Sequence, residues 1–186
     1  MIRAFIAIEI SPEAKKTLAE LMRELIKSDA DVKWVKPENI HLTLKFLGNI
    51  TEEQQIKIQE ILDKNLKDFN SFKIKLDGIG AFPKIEYPRV IWAGTSGEEI
   101  MKQIAKLIDE KVNKLGFPLE ERSFKAHLTL GRVRSGKNKE KLAAAIKKLG
   151  NLNGPEFLVN NISLFQSTLT PTGSIYKLLH KTKFQN

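Results

Sequence analysis

The sequence predicts a bilobal fold of alternating strands and helices, duplicated about a pseudo-two-fold axis with a cleft between the lobes. Three observations carry this. Hydrophobic spacing switches repeatedly between a period of two and a period near 3.6, the signatures of half-buried strands and amphipathic helices. The tetrad His-Leu-Thr-Leu occurs twice, at 41–44 and at 127–130, 86 residues apart. The same offset lays strand 3–9 on 89–95, helix 11–28 on 97–114, helix 51–66 on 137–152 and strand 72–80 on 158–166. Two copies are too few for a solenoid array, so the repeats, roughly 2–80 and 89–166, are expected to face each other. A further strand at 174–184 ends the chain. No stretch of flexible composition separates the halves, and 186 residues are short for two independent domains. Residues 1–186 are therefore read as one domain.

Each element has its own signal. Residues 2–10 alternate as a buried strand. Ser11 then offers an N-cap with Pro12 at the first helical position, and apolar residues at 18, 21, 22 and 25 carry the helix to about Lys27. Pro37-Glu38-Asn39 is a turn, and Ile40 to Leu47 a strand closed by Gly48-Asn49. Thr51 with Gln54 three residues later is a capping box, opening a helix to about Leu66. Phe72 to Ile79 is a strand, and 81–88 a turn-rich connection. The order then restarts: strand Arg89 to Thr95, helix Ser96 to about Leu115 capped by Ser96, strand Phe124 to Val133, helix Asn138 to Leu149 and strand Phe157 to Phe165.

Composition narrows the chemistry. There is no Cys, which removes disulfides, thiolate metal sites and a cysteine nucleophile, and fits a reducing compartment. The N-terminal apolar run is short and broken by Arg3 and Glu9, so it reads as a strand and not a signal peptide. No run approaches the roughly 20 apolar residues of a membrane helix. A cytoplasmic protein is expected. Lys plus Arg is 31 against 22 Asp plus Glu, a net charge of +9. Such an excess favours a polyanion such as RNA through counterion release; the plainer reading is a Lys-rich solvated surface. Abundant Lys and Glu without Cys is also a thermophile's composition.

The tetrads carry the chemistry. Strand side chains alternate faces, so His41 and Thr43 share one face while Leu42 and Leu44 take the other. His127 and Thr129 repeat the pattern against Leu128 and Leu130. With three His and nine Thr in the chain, a given His meets Thr two residues on with a chance of about 1 in 20. Two of three doing so is not the pattern of incidental core histidines. Two imidazoles suit in-line displacement at phosphorus: one neutral, to take a proton from water, and one protonated, to give a proton to the departing oxygen. An unperturbed pKa near 6.5 allows both states near neutral pH. Each Thr hydroxyl can donate to a non-bridging phosphate oxygen. On this reading neither a metal nor another cofactor is required, and two His without a third ligand at suitable spacing are too few to hold a metal.

Three further residues are candidates for substrate binding. Arg132, five after His127, can hold phosphate bidentately. Strict alternation places it on the face opposite His127, and only a bulge near Gly131 or the twist of the strand end would bring it to the cleft. Phe46 is its counterpart in the first repeat, a base-stacking platform or a core residue. Lys45 shares the parity of His41 and would add positive potential or sit at the cleft rim. His180 is read as structural or as a surface residue.

At these residues the sequence resembles the 2H phosphoesterase superfamily, and within it the bacterial and archaeal RNA 2′,3′-cyclic phosphodiesterases, also called 2′-5′ RNA ligases. The resemblance runs through RAFIAIE at the start, HLTLKFLG at 41–48, PRVIWAG at 88–94, FKAHLTLGRV at 124–133 and LFQSTLTPTGSIY at 164–176. It implies an α+β fold whose lobes are each a mainly antiparallel sheet with two helices. It also implies hydrolysis of an RNA 2′,3′-cyclic phosphate to a 2′-phosphate. In that scheme His41 is the proton donor to the leaving 3′-oxygen, His127 the proton acceptor from water, Thr43 and Thr129 hold the phosphate, and Arg132 contacts it. The two-fold pattern of the sequence itself does not say which His is acid and which base. Run in reverse, the same chemistry joins tRNA halves through a 2′-5′ linkage. A non-catalytic RNA-end binder, or an enzyme of small cyclic nucleotides or 2′-5′ oligonucleotides, would use the same residues. An intramolecular cleft makes a monomer the default.

Overall fold

The computed structural model describes residues 1–171 and 173–185; Thr172, within the segment quoted above, and Asn186 lie outside the described residues. The first repeat comprises β1 (Ile2–Glu9), α1 (Pro12–Ile26), β2 (Val32–Trp34), a 3-10 turn (Pro37–Asn39), β3 (His41–Ile50), α2 (Glu52–Leu66) and β4 (Phe72–Lys84). The second comprises β5 (Tyr87–Thr95), α3 (Glu98–Asn113), β6 (His127–Val133), α4 (Lys139–Lys148), β7 (Asn153–Val159) and β8 (Asn161–Thr170), followed by β9 (Gly173–Lys183). All named strand pairs are antiparallel, in the order β7-β4-β5-β6-β3-β1-β8-β9, with β2 added on β6.

The strand order divides at the β3–β6 seam into two four-stranded lobes, β3-β1-β8-β9 and β6-β5-β4-β7. The lobes are not the two halves of the chain. β4 belongs to the first repeat yet pairs with β5 and β7, whereas its 86-residue counterpart β8 pairs with β1. The helices after β1 and β5 cross as well: α1 packs against β7 and α4, and α3 against β3 and α2. Each repeat therefore gives one strand and one helix to the opposite lobe. Periodicity reports which residues form a strand but not which strand they will pair with, so this exchange is invisible in the sequence.

Local signals mostly hold. Ser11 Oγ accepts from Ala14 N–H at 3.1 Å. The capping box at Thr51 and Gln54 is complete, with reciprocal bonds of 3.1 and 3.0 Å. Four boundaries differ. The 81–88 connection is the end of the long β4–β5 hairpin, in which Pro83 lies opposite Pro88; two residues without N–H groups face each other where neither is needed as a donor. Ser96 does not cap α3: Gly97, left-handed at φ 75°, is the N-cap, and Ser96 Oγ accepts from Lys75 N–H at 2.9 Å. The expected strand 157–165 is two strands, β7 in one lobe and β8 in the other, parted at Asn160. Finally, β6 begins at His127, and the residues leading into it from α3 are irregular.

The core is the buried face of this sheet against the helices. Ile6, Ile8, Leu42, Leu128, Leu130 and Leu164 meet Leu18, Leu25, Ile58, Leu62, Ile104 and Ile108, all buried. At about 25 cal/mol per Å² of apolar area, each such side chain contributes about 1.5–3 kcal/mol. The other face lines the cleft.

Candidate active site

The seam positions the two tetrads. Leu42 pairs with Leu128 in antiparallel register, and both are fully buried. Continuing that ladder by one residue sets His41 opposite Thr129 and Thr43 opposite His127, on the face away from the leucines. Directly opposed Cβ atoms lie about 5 Å apart. Each histidine thus stands beside the threonine of the other motif, and all four side chains line one cleft of about 1110 Å³.

Both imidazoles are held in the same way. His41 Nδ1 lies 2.7 Å from the carbonyl oxygen of Asn39, and His127 Nδ1 2.7 Å from that of Lys125. A carbonyl only accepts, so Nδ1 carries a proton in both rings. Nε2 is left as the reactive nitrogen, a base when neutral and an acid when protonated. The Asn39 anchor is itself fixed, its Nδ2 donating to Ser174 O of β9 at 2.7 Å.

The surroundings of the two rings differ. Phe5 stacks on His41 at 4.7 Å and Tyr176 meets it edge-on at 5.1 Å, whereas His127 has the edge of Phe82 at 5.2 Å. Burial among these rings desolvates the charged form of His41 and holds its pKa below the ordinary imidazole range; the bond to Asn39 works in the opposite direction, and the charge of Lys15 adds to the lowering.

A β-bulge decides the fate of the neighbouring candidates. Along β1–β3, Ile6 pairs with Lys45 and Ala7 with Thr43, so Leu44 is the extra residue. Along β5–β6, Ile91 pairs with Gly131 and Trp92 with Thr129, so Leu130 is the extra residue at the equivalent position. Each bulge reverses the alternation beyond it. Arg132 and Phe46 both turn to the cleft and line it, exposed. Lys45 lines the cleft wall as well, but its ammonium is turned toward α3 and is not free. Its side chain is 2% exposed, its Nζ lies 2.6 Å from Asp109 and 3.3 Å from Glu120, and it donates to Pro118 O at 2.7 Å. Two hydrogen bonds, to Pro118 O and Glu120, and the ion pair with Asp109 hold the ammonium in place. His180 lies outside the cleft, 2.8 Å from Asp63 of α2.

Sequence reasoning missed Phe5, Tyr176 and Phe82, which enclose the histidines. Phe5 sits in the apolar run FIAI and Tyr176 in a distant strand; only the pairing of β1 with β3 and β8 brings them to His41. Basic residues outside the motifs, among them Arg3, Lys36, Arg122 and Arg134, also line the cleft. Among the described residues, no group of three or more His, Asp or Glu is arranged to hold a metal ion, and no helix is long and apolar enough to cross a membrane.

A curled antiparallel sheet whose two central strands each present His and Thr to one cleft defines a two-histidine phosphoesterase. The chain belongs to the LigT-like phosphoesterase family, which it matches over residues 8–92 and 95–176. It is 41% identical over 177 residues to a Methanocaldococcus jannaschii protein named RNA 2′,3′-cyclic phosphodiesterase, covering 95% of this chain and 98% of that one. A protein of the same name from Methanothermobacter thermautotrophicus is 36% identical over 175 residues, covering 94% and 95%. The fold is similar to the crystal structure of TT0787 from Thermus thermophilus, with a TM-score of 0.81 and 26% identity over 98% of this chain and 97% of that one. It is also similar to apo LigT from E. coli, with a TM-score of 0.78 and 21% identity over 100% and 98%.

Proposed function

We propose that the chain hydrolyses 2′,3′-cyclic phosphate ends of RNA to 2′-phosphates in the cytoplasm, as a monomer and without a metal. The observation that carries this reading is the pair of histidines with Nδ1 committed to backbone carbonyls, so that two Nε2 atoms serve one cleft. The names borne by its relatives supply the substrate class. His127 Nε2 takes a proton from water, whose oxygen attacks phosphorus. The bond from phosphorus to O3′ breaks, and His41 Nε2–H gives its proton to O3′. Thr43, Thr129 and Arg132 hold the non-bridging oxygens, and Phe46 offers its exposed ring to a base.

The assignment of His41 as the acid rests on family resemblance and meets one physical objection: burial favours its neutral form. The phosphate supplies the answer, since an anion against the imidazole favours the protonated form. The test incubates the protein, in excess EDTA, with an RNA ending in a 2′,3′-cyclic phosphate, and identifies the product. A 2′-phosphate is expected, and His41→Ala or His127→Ala lowers the rate by about 100- to 10,000-fold with circular dichroism unchanged. A 3′-phosphate product, a need for added divalent metal, or a variant within tenfold of wild type overturns the reading. Accumulation of joined strands would instead mark the reverse reaction as dominant.

A further inference from the structure

The pseudo-symmetry of the cleft fails at one place. In one lobe, the segment before His41 is zipped onto the sheet: β2 pairs with β6, and Val35 N–H donates to Leu130 O at 2.8 Å. Gly131 permits this, because a Cβ there would meet Val32 Cγ1 at 2.6 Å. The equivalent segment before His127, residues 118–122, forms no ladder with β3. The residue of β3 equivalent to Gly131 is Lys45, whose buried ammonium reaches Pro118 O and Glu120 and is anchored on Asp109 of α3. A side-chain strut stands where the other lobe has a strand.

That strut fixes an irregular connection of the kind that is mobile by default. What it fixes carries Arg122 and Lys125 beside Glu120 and Glu121. Arg122 and Lys125 are exposed on the connection, both line the cleft, and neither has a carboxylate partner among the described residues. The two carboxylates in this part of the wall, Asp109 and Glu120, share the one positive charge of Lys45, which offsets part of their negative charge. Lys102 and Lys106 of α3 stand in the same wall. The cleft, at about 1110 Å³, also exceeds the space a single small ligand needs, about 300–1,000 Å³.

We propose that residues 118–125 are a binding track for the phosphodiester backbone of single-stranded RNA, with Arg122 and Lys125 holding phosphates upstream of the reacting 3′ end. This deepens the function proposed above and rests on it. Oligonucleotides are then better substrates than mononucleotides, by an electrostatic contribution that salt removes.

The experiment compares a mononucleoside 2′,3′-cyclic phosphate with a hexaribonucleotide ending in the same group. Wild type is expected to prefer the hexamer at least tenfold in kcat/KM at 50 mM salt, and less at 200 mM. Arg122→Ala/Lys125→Ala should lose at least tenfold more on the hexamer than on the mononucleotide. Its slope of log kcat/KM against log salt should fall by about 1.4, from about 0.7 per phosphate contact on a single strand. Equal losses on both substrates, or no preference by wild type, overturn the proposal. So does a larger loss on the hexamer from Lys36→Ala, on the opposite flank. If the cyclic phosphate proves not to be the substrate, neither compound is turned over. Fluorescence-anisotropy titration of a labelled hexamer still decides the track: tenfold weaker binding by the double variant supports it, and unchanged binding overturns it.

Discussion

His41 and His127 make the same hydrogen bond from different surroundings, and this difference sets the expected pH behaviour. If His41 is the acid, kcat/KM falls as pH rises through its free-state pKa, which lies below the ordinary imidazole value. The descending limb of kcat/KM should therefore begin below about pH 6.5. In kcat the limb should lie higher, because the bound phosphate favours imidazolium. Phe5→Leu removes the ring stacked on His41, admits water, and should move the kcat/KM limb to higher pH. A kcat/KM profile still rising above pH 7, or a limb unmoved by Phe5→Leu, would take the acid role from His41. The four residues of the two motifs stood out in the sequence, and meet at one cleft, because a repeated polar pair on one strand face has no reason in core packing. Phe5 and Tyr176 were not legible, since their contact with His41 is made by pairing between distant strands.

Single-residue bulges at Leu44 and Leu130 decide which way the neighbouring candidate residues point. Strict alternation placed Arg132 outside the cleft and left Lys45 a free cation at it; one extra residue in each strand brings Arg132 to the cleft and turns the Lys45 ammonium to Asp109 and Pro118. A bulge is a matter of register between two strands, and neither strand's sequence alone declares it. Arg132→Ala should lower kcat/KM by about 10- to 100-fold, the loss of a charge-assisted contact of about 1.5–3 kcal/mol, with Tm unchanged. A large fall in Tm would make Arg132 structural. Lys45→Met should do the reverse. It strands Asp109, 15% exposed, without its counter-charge, costing about 3 kcal/mol and so lowering Tm by about 10 °C in differential scanning calorimetry. Lys45→Met/Asp109→Leu should recover much of this. A double variant no more stable than Lys45→Met would show that the ion pair is not what holds this part of the fold.

At the scale of the whole molecule, the 86-residue offset matched the succession of elements, and the partition of the lobes was not legible in it. Offsets align elements along the chain, whereas lobes are made of strands that hydrogen-bond. Each repeat keeps one strand pair of its own, β1–β3 or β5–β6, but β4 is flanked by β5 and β7, and β8 pairs with β1, so neither repeat completes its sheet alone. A fragment of residues 1–86 should show no cooperative thermal transition. Mixing it with 87–186 should restore near-UV circular dichroism and the wild-type reaction. Cooperative unfolding of 1–86 alone would refute this.

The crossed strands also bear on how the two histidines come to differ. A free copy of one repeat would complete its sheet only by lending a strand and a helix to a second copy, and the cleft of that dimer would be symmetric. Both histidines would then have identical neighbours, with Phe or Arg on both sides and a strut or a ladder on both sides. Joining the copies in one polypeptide lifts that constraint. Phe46 can then face Arg132, Lys45 can stand where Gly131 stands, and one imidazole can be walled in by rings while the other stays open. The covalent link between the repeats is thus what allows the two imidazoles to have different surroundings, as the proposed division into proton donor and proton acceptor requires.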